Sequence, residues 1–114
     1  LPRGAVAFSE ACWFSQDRSA RAKAFWDTEY PSMTDEAGIT AQIEAAGYRV
    51  LGQQRLKDAS WEAYFTPLEQ RAATLRAGAD PALVAVLDEV AEEIACWRAH
   101  RDEFGYLLSV VTPA

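Results

Sequence analysis

The feature that most narrows the fold lies at the start of the chain. Leu1-Pro2-Arg3-Gly4 reads as a turn, and Ala5-Val6-Ala7-Phe8-Ser9-Glu10 runs out of it as an apolar strand with a polar end. An apolar run without clean alternation suits a central strand covered on both faces. Such a strand needs neighbours, and a Pro-Arg-Gly turn feeding it reads as the continuation of a sheet already under way. The expectation is therefore a piece of a larger sheet.

The rest of the chain supplies two more strands and much helix. The first strand spans about Ala5 to Cys12. Ser19 caps a short helix from Ala20 to about Thr28, which Pro31 stops. Ser32 and Asp35 have capping-box spacing ahead of a second helix with Ile39, Ile43 and Ala46 on its apolar stripe. Gly47 is placed at its end to take positive φ. Tyr48–Leu56 follows as a strand. Residues 57–103 form a long helical excursion. Ser60 caps a first piece with Trp61, Tyr64 and Phe65. Thr66-Pro67-Leu68-Glu69 signals a new start, with Pro at N1 and Glu at N3. Asp80-Pro81 opens a helix whose Leu83, Leu87, Val90, Ile94 and Trp97 recur at three- and four-residue steps. Phe104–Val111 closes the chain as a third strand, and Pro113 is expected to forbid further pairing. The order predicts one α/β domain with three strands and about five helices.

Composition removes several functions. The formal charge of −6, with eleven scattered Lys and Arg, argues against nucleic acid or an anionic membrane as partner. No apolar stretch approaches a membrane span. Cys12 and Cys96 are far apart and His100 is the one histidine, so no metal-ligand spacing appears and no metal is expected. Two reduced, buried thiols fit a cytoplasmic protein.

Four stretches together resemble the C-terminal half of a class I S-adenosylmethionine-dependent methyltransferase of the small-molecule type. Leu1-Pro2-Arg3-Gly4 with Ala5–Glu10 resembles the family's Pro-Gly turn and fifth strand. Phe25-Trp26 through Tyr30-Pro31-Ser32-Met33 resembles the aromatic insert after it. Ile43-Glu44-Ala45-Ala46-Gly47-Tyr48 resembles the helix end and sixth strand. Trp61 to Glu69, with the Gly105-Tyr106 strand, resembles the last section. The resemblance implies a partial Rossmann-like sheet in the order first, last, middle, with the last strand antiparallel. It implies a small-molecule methyl acceptor, and S-adenosylmethionine as cofactor of the full-length enzyme. The family's glycine-rich cofactor loop is missing, since no Gly-x-Gly occurs here. No cofactor-binding residue is therefore named, and this portion alone is expected to be inactive and to bind no cofactor.

Ligands of open α/β sheets bind beyond the carboxyl ends of the parallel strands. Ser9, Glu10 and Trp13 belong to that end of the first strand. Trp26 and Tyr30 approach from the insert. Trp61 and Tyr64 belong to the excursion, which must leave and return at the ligand edge. Glu10 is the candidate catalytic carboxylate; Ser9, Trp13, Trp26, Tyr30, Trp61 and Tyr64 are candidate acceptor-binding residues. The ordinary alternatives are a strand-end acid bonded to backbone or water, and aromatic core packing.

Two other readings compete. One is a non-catalytic α/β binding or interaction module. The other is a small enzyme using Glu10 and His100, which would require those side chains to converge. In either case an open first strand presents an apolar edge. A homo-oligomer that covers it is expected.

Overall fold

The computed structural model describes residues 4–114; the Leu1-Pro2-Arg3 part of the expected turn lies outside them. Three strands, β1 (Val6–Trp13), β2 (Tyr48–Arg55) and β3 (Phe104–Pro113), and four helices, α1 (Ala20–Glu29), α2 (Glu36–Ala45), α3 (Asp58–Arg76) and α4 (Pro81–His100), make up the described residues. The sheet order is β1-β3-β2, and β3 is antiparallel to both neighbours, so β1 and β2 run parallel. This is the order and sense expected from the sequence. The chain forms two compact units: residues to Leu56 together with Asp102–Ala114, and Lys57–Arg101.

In the sheet unit, alternation sorts side chains by face. Cys12, Leu107 and Val111 point to the face covered by Ile39 and Ile43 of α2, and these five form a buried cluster. Trp13 and Phe104, paired across strands, point to the other face, where Trp26 of α1 meets Phe104 edge-on at 5.3 Å. β3 is the buried strand. Its hydroxyl at Ser109 is fully buried and accepts from Gln53 Nε2 at 3.2 Å, while Gln53 Oε1 accepts from Thr40 of α2. An unpaired hydroxyl there would cost roughly 1–3 kcal/mol.

β1 lies at one edge among the described residues rather than at the centre, and Val6 is 53% exposed. β2 lies at the other edge and carries a register shift between Val50 and Gly52, which leaves Leu51 as a bulge, 52% exposed. Gly47 has φ of +89°, the conformation expected at the end of α2. Two local expectations need correction. Asp35, not Ser32, caps α2: its carboxylate accepts from Gly38 N at 2.8 Å. The Trp13 N–H donating to Thr34 O and the bridge from Trp13 to Asp35 hold the preceding residues extended, so the helix cannot start earlier. Pro113 is the last residue of β3, opposite Tyr48. A proline at a strand terminus gives up a donor without breaking a ladder.

In the helical unit the expected three pieces are two. α3 runs through Pro67 without a break. Proline removes the bond to the carbonyl four residues back, and its ring crowds that carbonyl. The groups that would have capped a new helix are engaged elsewhere. Thr66 Oγ1 donates to Glu62, and the Glu69 carboxylate accepts from Arg98. Glu62 and Glu69 lie two turns apart with Pro67 between them, and the Arg98 guanidinium of α4 binds both, at 3.0 and 2.8 Å. Inside the hairpin Trp61 stacks on Trp97 at 5.1 Å, with Phe65 5.6 Å from Trp97. Phe65 and Trp97 are essentially unexposed. The arginine clamp and this aromatic cluster hold both sides of the proline in one helix. Asp80 caps α4 through Leu83 N with Pro81 in the first turn, as its sequence predicts.

Two outcomes follow from the clamp. Pro67→Ala should raise stability, by up to about 3 kcal/mol where the lost bond reforms. Arg98→Ala should destabilise the parent more than it destabilises Pro67→Ala, read by urea unfolding of the four variants. Arg98 holds the Glu62 carboxyl below the usual carboxylate range. A depressed carboxyl stabilises the fold above its unfolded value, about 4.3, and loses that contribution as pH falls through the folded value. Unfolding measured from pH 6 down to 3 should show that loss in the parent, reduced by salt and absent in Arg98→Ala.

Candidate functional site

The carboxyl ends of β1 and β2 fall on the same edge because the two strands are parallel. At that edge the chain is tightly tied. The Phe14 N–H donates to Glu103 O at 2.7 Å, and the Ser19 N–H donates to the Glu103 carboxylate. The Leu56 N–H donates to Tyr106 O. Two guanidiniums lie over aromatic rings there. Arg18 is 4.6 Å from the Trp13 centroid, and Arg55, the last residue of β2, is 4.2 Å from that of Phe14. Arg55 also forms a two-point ion pair with Glu36 at 3.1 and 2.6 Å. A cleft of about 290 Å³ opens among Trp13, Phe14, Ser15, Gln16, Asp35 and Glu36. Its lining mixes aromatic carbon with carboxylate and amide groups, the composition of a small polar-apolar ligand site.

Glu10 and Tyr30, both singled out from the sequence, come together. The Glu10 carboxylate beside the Tyr30 hydroxyl raises the Tyr30 pKa above its ordinary value, and the Ser32 hydroxyl opposes this. Local structure explains the approach. The Tyr30 N–H closes α1 on Trp26 O, and Met33 N–H donates to Tyr30 O, so the segment turns back toward β1. Glu10 is half-buried, so the oxygen not taken by Tyr30 can accept from a ligand.

The remaining predicted residues fall on three elements: β1, α1 and α3. Ser9 alternates with Glu10 and so belongs to the opposite sheet face, where it is exposed. Trp13 and Trp26 are 4% and 8% exposed and both touch Phe104, and Trp13 also lines the cleft beyond β1. The Trp26 Nε1 atom is buried without a hydrogen-bond partner. Trp61 and Tyr64 belong to α3; Trp61 is buried on Trp97, and Tyr64 is 65% exposed. Four contributors escaped the sequence reading: Gln16, Ser32, Asp35 and Arg55. Arg55 alone carried a usable signal, as the last residue of a strand parallel to β1.

Two cavities lie elsewhere. A groove of about 330 Å³ runs between α2 and β1, lined by Val6, Phe8, Ile39, Ile43, Ala46, Tyr48 and Val111 and reaching Glu10 at one limit. Val6 and Tyr48 open their strands, so most of it lies toward the end opposite the cleft. A furrow of about 600 Å³ lies between α3 and α4, with Arg76 and Arg98 at its rim already paired to carboxylates. Among the described residues no three His, Cys, Asp or Glu side chains form a metal-ligand cluster. None of the helices is long and apolar enough to cross a membrane.

Burial, aided by the nearby Glu36 carboxylate, pushes the Cys12 thiol up to about 12. Cys12 and Cys96 are in no disulfide and are fully buried, so neither is a ready nucleophile. A direct test of the carboxylate-phenol pair is available. Glu10→Gln should return the Tyr30 ionisation toward about 10, seen by NMR titration of the ring. In the parent, the raised pKa supports the fold up to the unfolded value and is lost as pH climbs beyond it.

No protein-family model matches the sequence, and no curated protein does. Solved structures do match. The structure of YjhP from E. coli aligns over 100% of this chain and 51% of its own, with a TM-score of 0.73 at 17% identity. A SAM-dependent methyltransferase from Geobacter sulfurreducens, in complex with S-adenosyl-L-homocysteine, aligns over 97% and 46%, with a TM-score of 0.70 at 14% identity. One from Thiobacillus denitrificans, in the same complex, aligns over 97% and 46%, with a TM-score of 0.66 at 13% identity. The chain thus spans about half the length of the structures it matches. No Gly-x-Gly occurs in the sequence, and the six glycines are isolated along the chain. What the likeness establishes is the fold, an α/β arrangement of the methyltransferase type.

Proposed function

We propose that this chain is the acceptor-binding, C-terminal portion of a SAM-dependent methyltransferase acting on a small molecule. The observation that carries the reading is the antiparallel β3 inserted between parallel β1 and β2, in a chain that SAM-dependent methyltransferase structures match over 97% of its length. The Glu10 carboxylate beside the Tyr30 hydroxyl, and the separate cleft beyond the end of β1, support an acceptor held near the carboxyl end of that strand. In this reading Glu10, steadied by the Tyr30 hydroxyl, accepts a hydrogen bond from an N–H or O–H of the acceptor and orients it. Gln16 and Asp35 offer further polar contacts at the cleft. The donor is held by polypeptide outside these residues, because the residues here lack the loop that would cradle it. Orientation and exclusion of water account for much of such a catalyst's effect, so a conspicuous acid–base constellation is not required.

The test is binding and transfer. Calorimetry should detect no S-adenosylmethionine binding to the 114-residue chain, and binding to the polypeptide extended upstream through its own reading frame. In the extended protein, Glu10→Gln should lower kcat/KM for methyl transfer by about tenfold, as loss of a charge-assisted hydrogen bond implies. An extended protein that binds no S-adenosylmethionine would overturn the assignment and favour a non-catalytic interaction module.

A further inference from the structure

We infer that α3 is a two-state helix hinged at Pro67. Residues 67–76 form an arm that swings from α4 as a separately capped helix when Glu69 leaves Arg98. The two states draw on one set of side chains. In the closed state the Thr66 hydroxyl donates to the Glu62 carboxylate at 3.2 Å, and the Glu69 carboxylate accepts from Arg98 at 2.8 Å. Thr66 and Glu69, three residues apart around Pro67, are also the two halves of a capping box with proline at its first helical position. On opening, the Thr66 hydroxyl turns to the Glu69 N–H and the Glu69 carboxylate to the Thr66 N–H, while Arg98 keeps Glu62. Neither capping group is left without a partner. Proline has no N–H for the Ala63 carbonyl, so the closed helix already lacks a bond at the step where the open one breaks.

Packing does not oppose the swing. The side chains that α3 buries are Trp61 and Phe65, and both precede Pro67. They pack on Trp97 and fix the first half of α3 to α4. The arm instead faces α4 across the furrow of about 600 Å³. Two ion pairs bridge it, Glu69 to Arg98 and Arg76 to Asp88, with side chains between 36% and 64% exposed. Pairs so exposed hold weakly and yield to salt. An element with two arrangements, each with contacts of its own, keeps a minor state populated at roughly 0.1–10%. The device answers to ionic strength. It concerns the hairpin alone and holds whether or not the chain takes part in methyl transfer.

Amide hydrogen exchange of the 114-residue chain tests it, followed by NMR at constant pH and taken relative to unfolded-chain rates. Opening releases the N–H groups of Leu68 and Glu69 from the carbonyls of Tyr64 and Phe65 and leaves the bonds inside the arm intact. Leu68 and Glu69 should therefore exchange about tenfold or more faster than Ala72, Ala73 and Thr74. Raising salt from about 0.05 to about 0.5 M should speed the first pair by about threefold and leave the other three unchanged. Arg98→Ala should speed the pair by about tenfold, and Pro67→Ala should slow it to the rate of its neighbours. Within Arg98→Ala, adding Thr66→Ala should slow the pair by about fivefold, because the open arm loses its cap. Equal protection across residues 62–75 at every salt concentration would overturn the inference. So would exchange at Ala72, Ala73 and Thr74 as fast as at Leu68 and Glu69, since the arm would then melt rather than swing. An Arg98→Ala protein that exchanges as the parent does would overturn it too; if that variant fails to fold, the salt series in the parent decides.

Discussion

The sheet depends on β3. It supplies every ladder bond that β1 and β2 make to one another's side of the sheet, since neither pairs with the other. It also carries the side chains that both covering helices need: Leu107 and Val111 for α2, Phe104 for α1. Because β3 is last in sequence, β1 and β2 cannot acquire their neighbour until the chain is complete through Pro113. Contacts of such long sequence separation fold slowly, and the early strand must wait with apolar groups uncovered.

The same strand fixes where chemistry can be. Its antiparallel entry at Phe104 brings Glu103 against Phe14 and Ser19, which anchors the loop after β1. That anchoring is why the cleft beyond β1 has a defined shape although it is built from a loop. The two guanidiniums over Trp13 and Phe14 add stiffness and leave the local charge balanced against Asp35 and Glu36.

Much of the architecture could be read from the residues. Strand positions followed from apolar runs bounded by turns. The antiparallel central placement of β3 came from resemblance rather than from periodicity, which does not encode pairing. The merged α3 was hidden because Thr66-Pro67-Leu68-Glu69 is a sound start signal locally. Its override lies in Arg98, some thirty residues away in sequence, which no local pattern reveals. The pairing of Glu10 with Tyr30 was within reach, as two polar residues assigned to one edge. The contributions of Asp35 and Gln16 were not, because the bridge from Trp13 to Asp35 joins segments with no shared motif. Ser9 shows the converse: a neighbour of Glu10 in sequence, it belongs to the opposite sheet face.

The bulge at Leu51 gives the sheet a polarity of its own. On that flank the irregular backbone and the flanking Arg49 and Arg55 make the strand a poor template for a foreign ribbon. A substitution that removed the bulge would give the flank a longer straight ladder to offer.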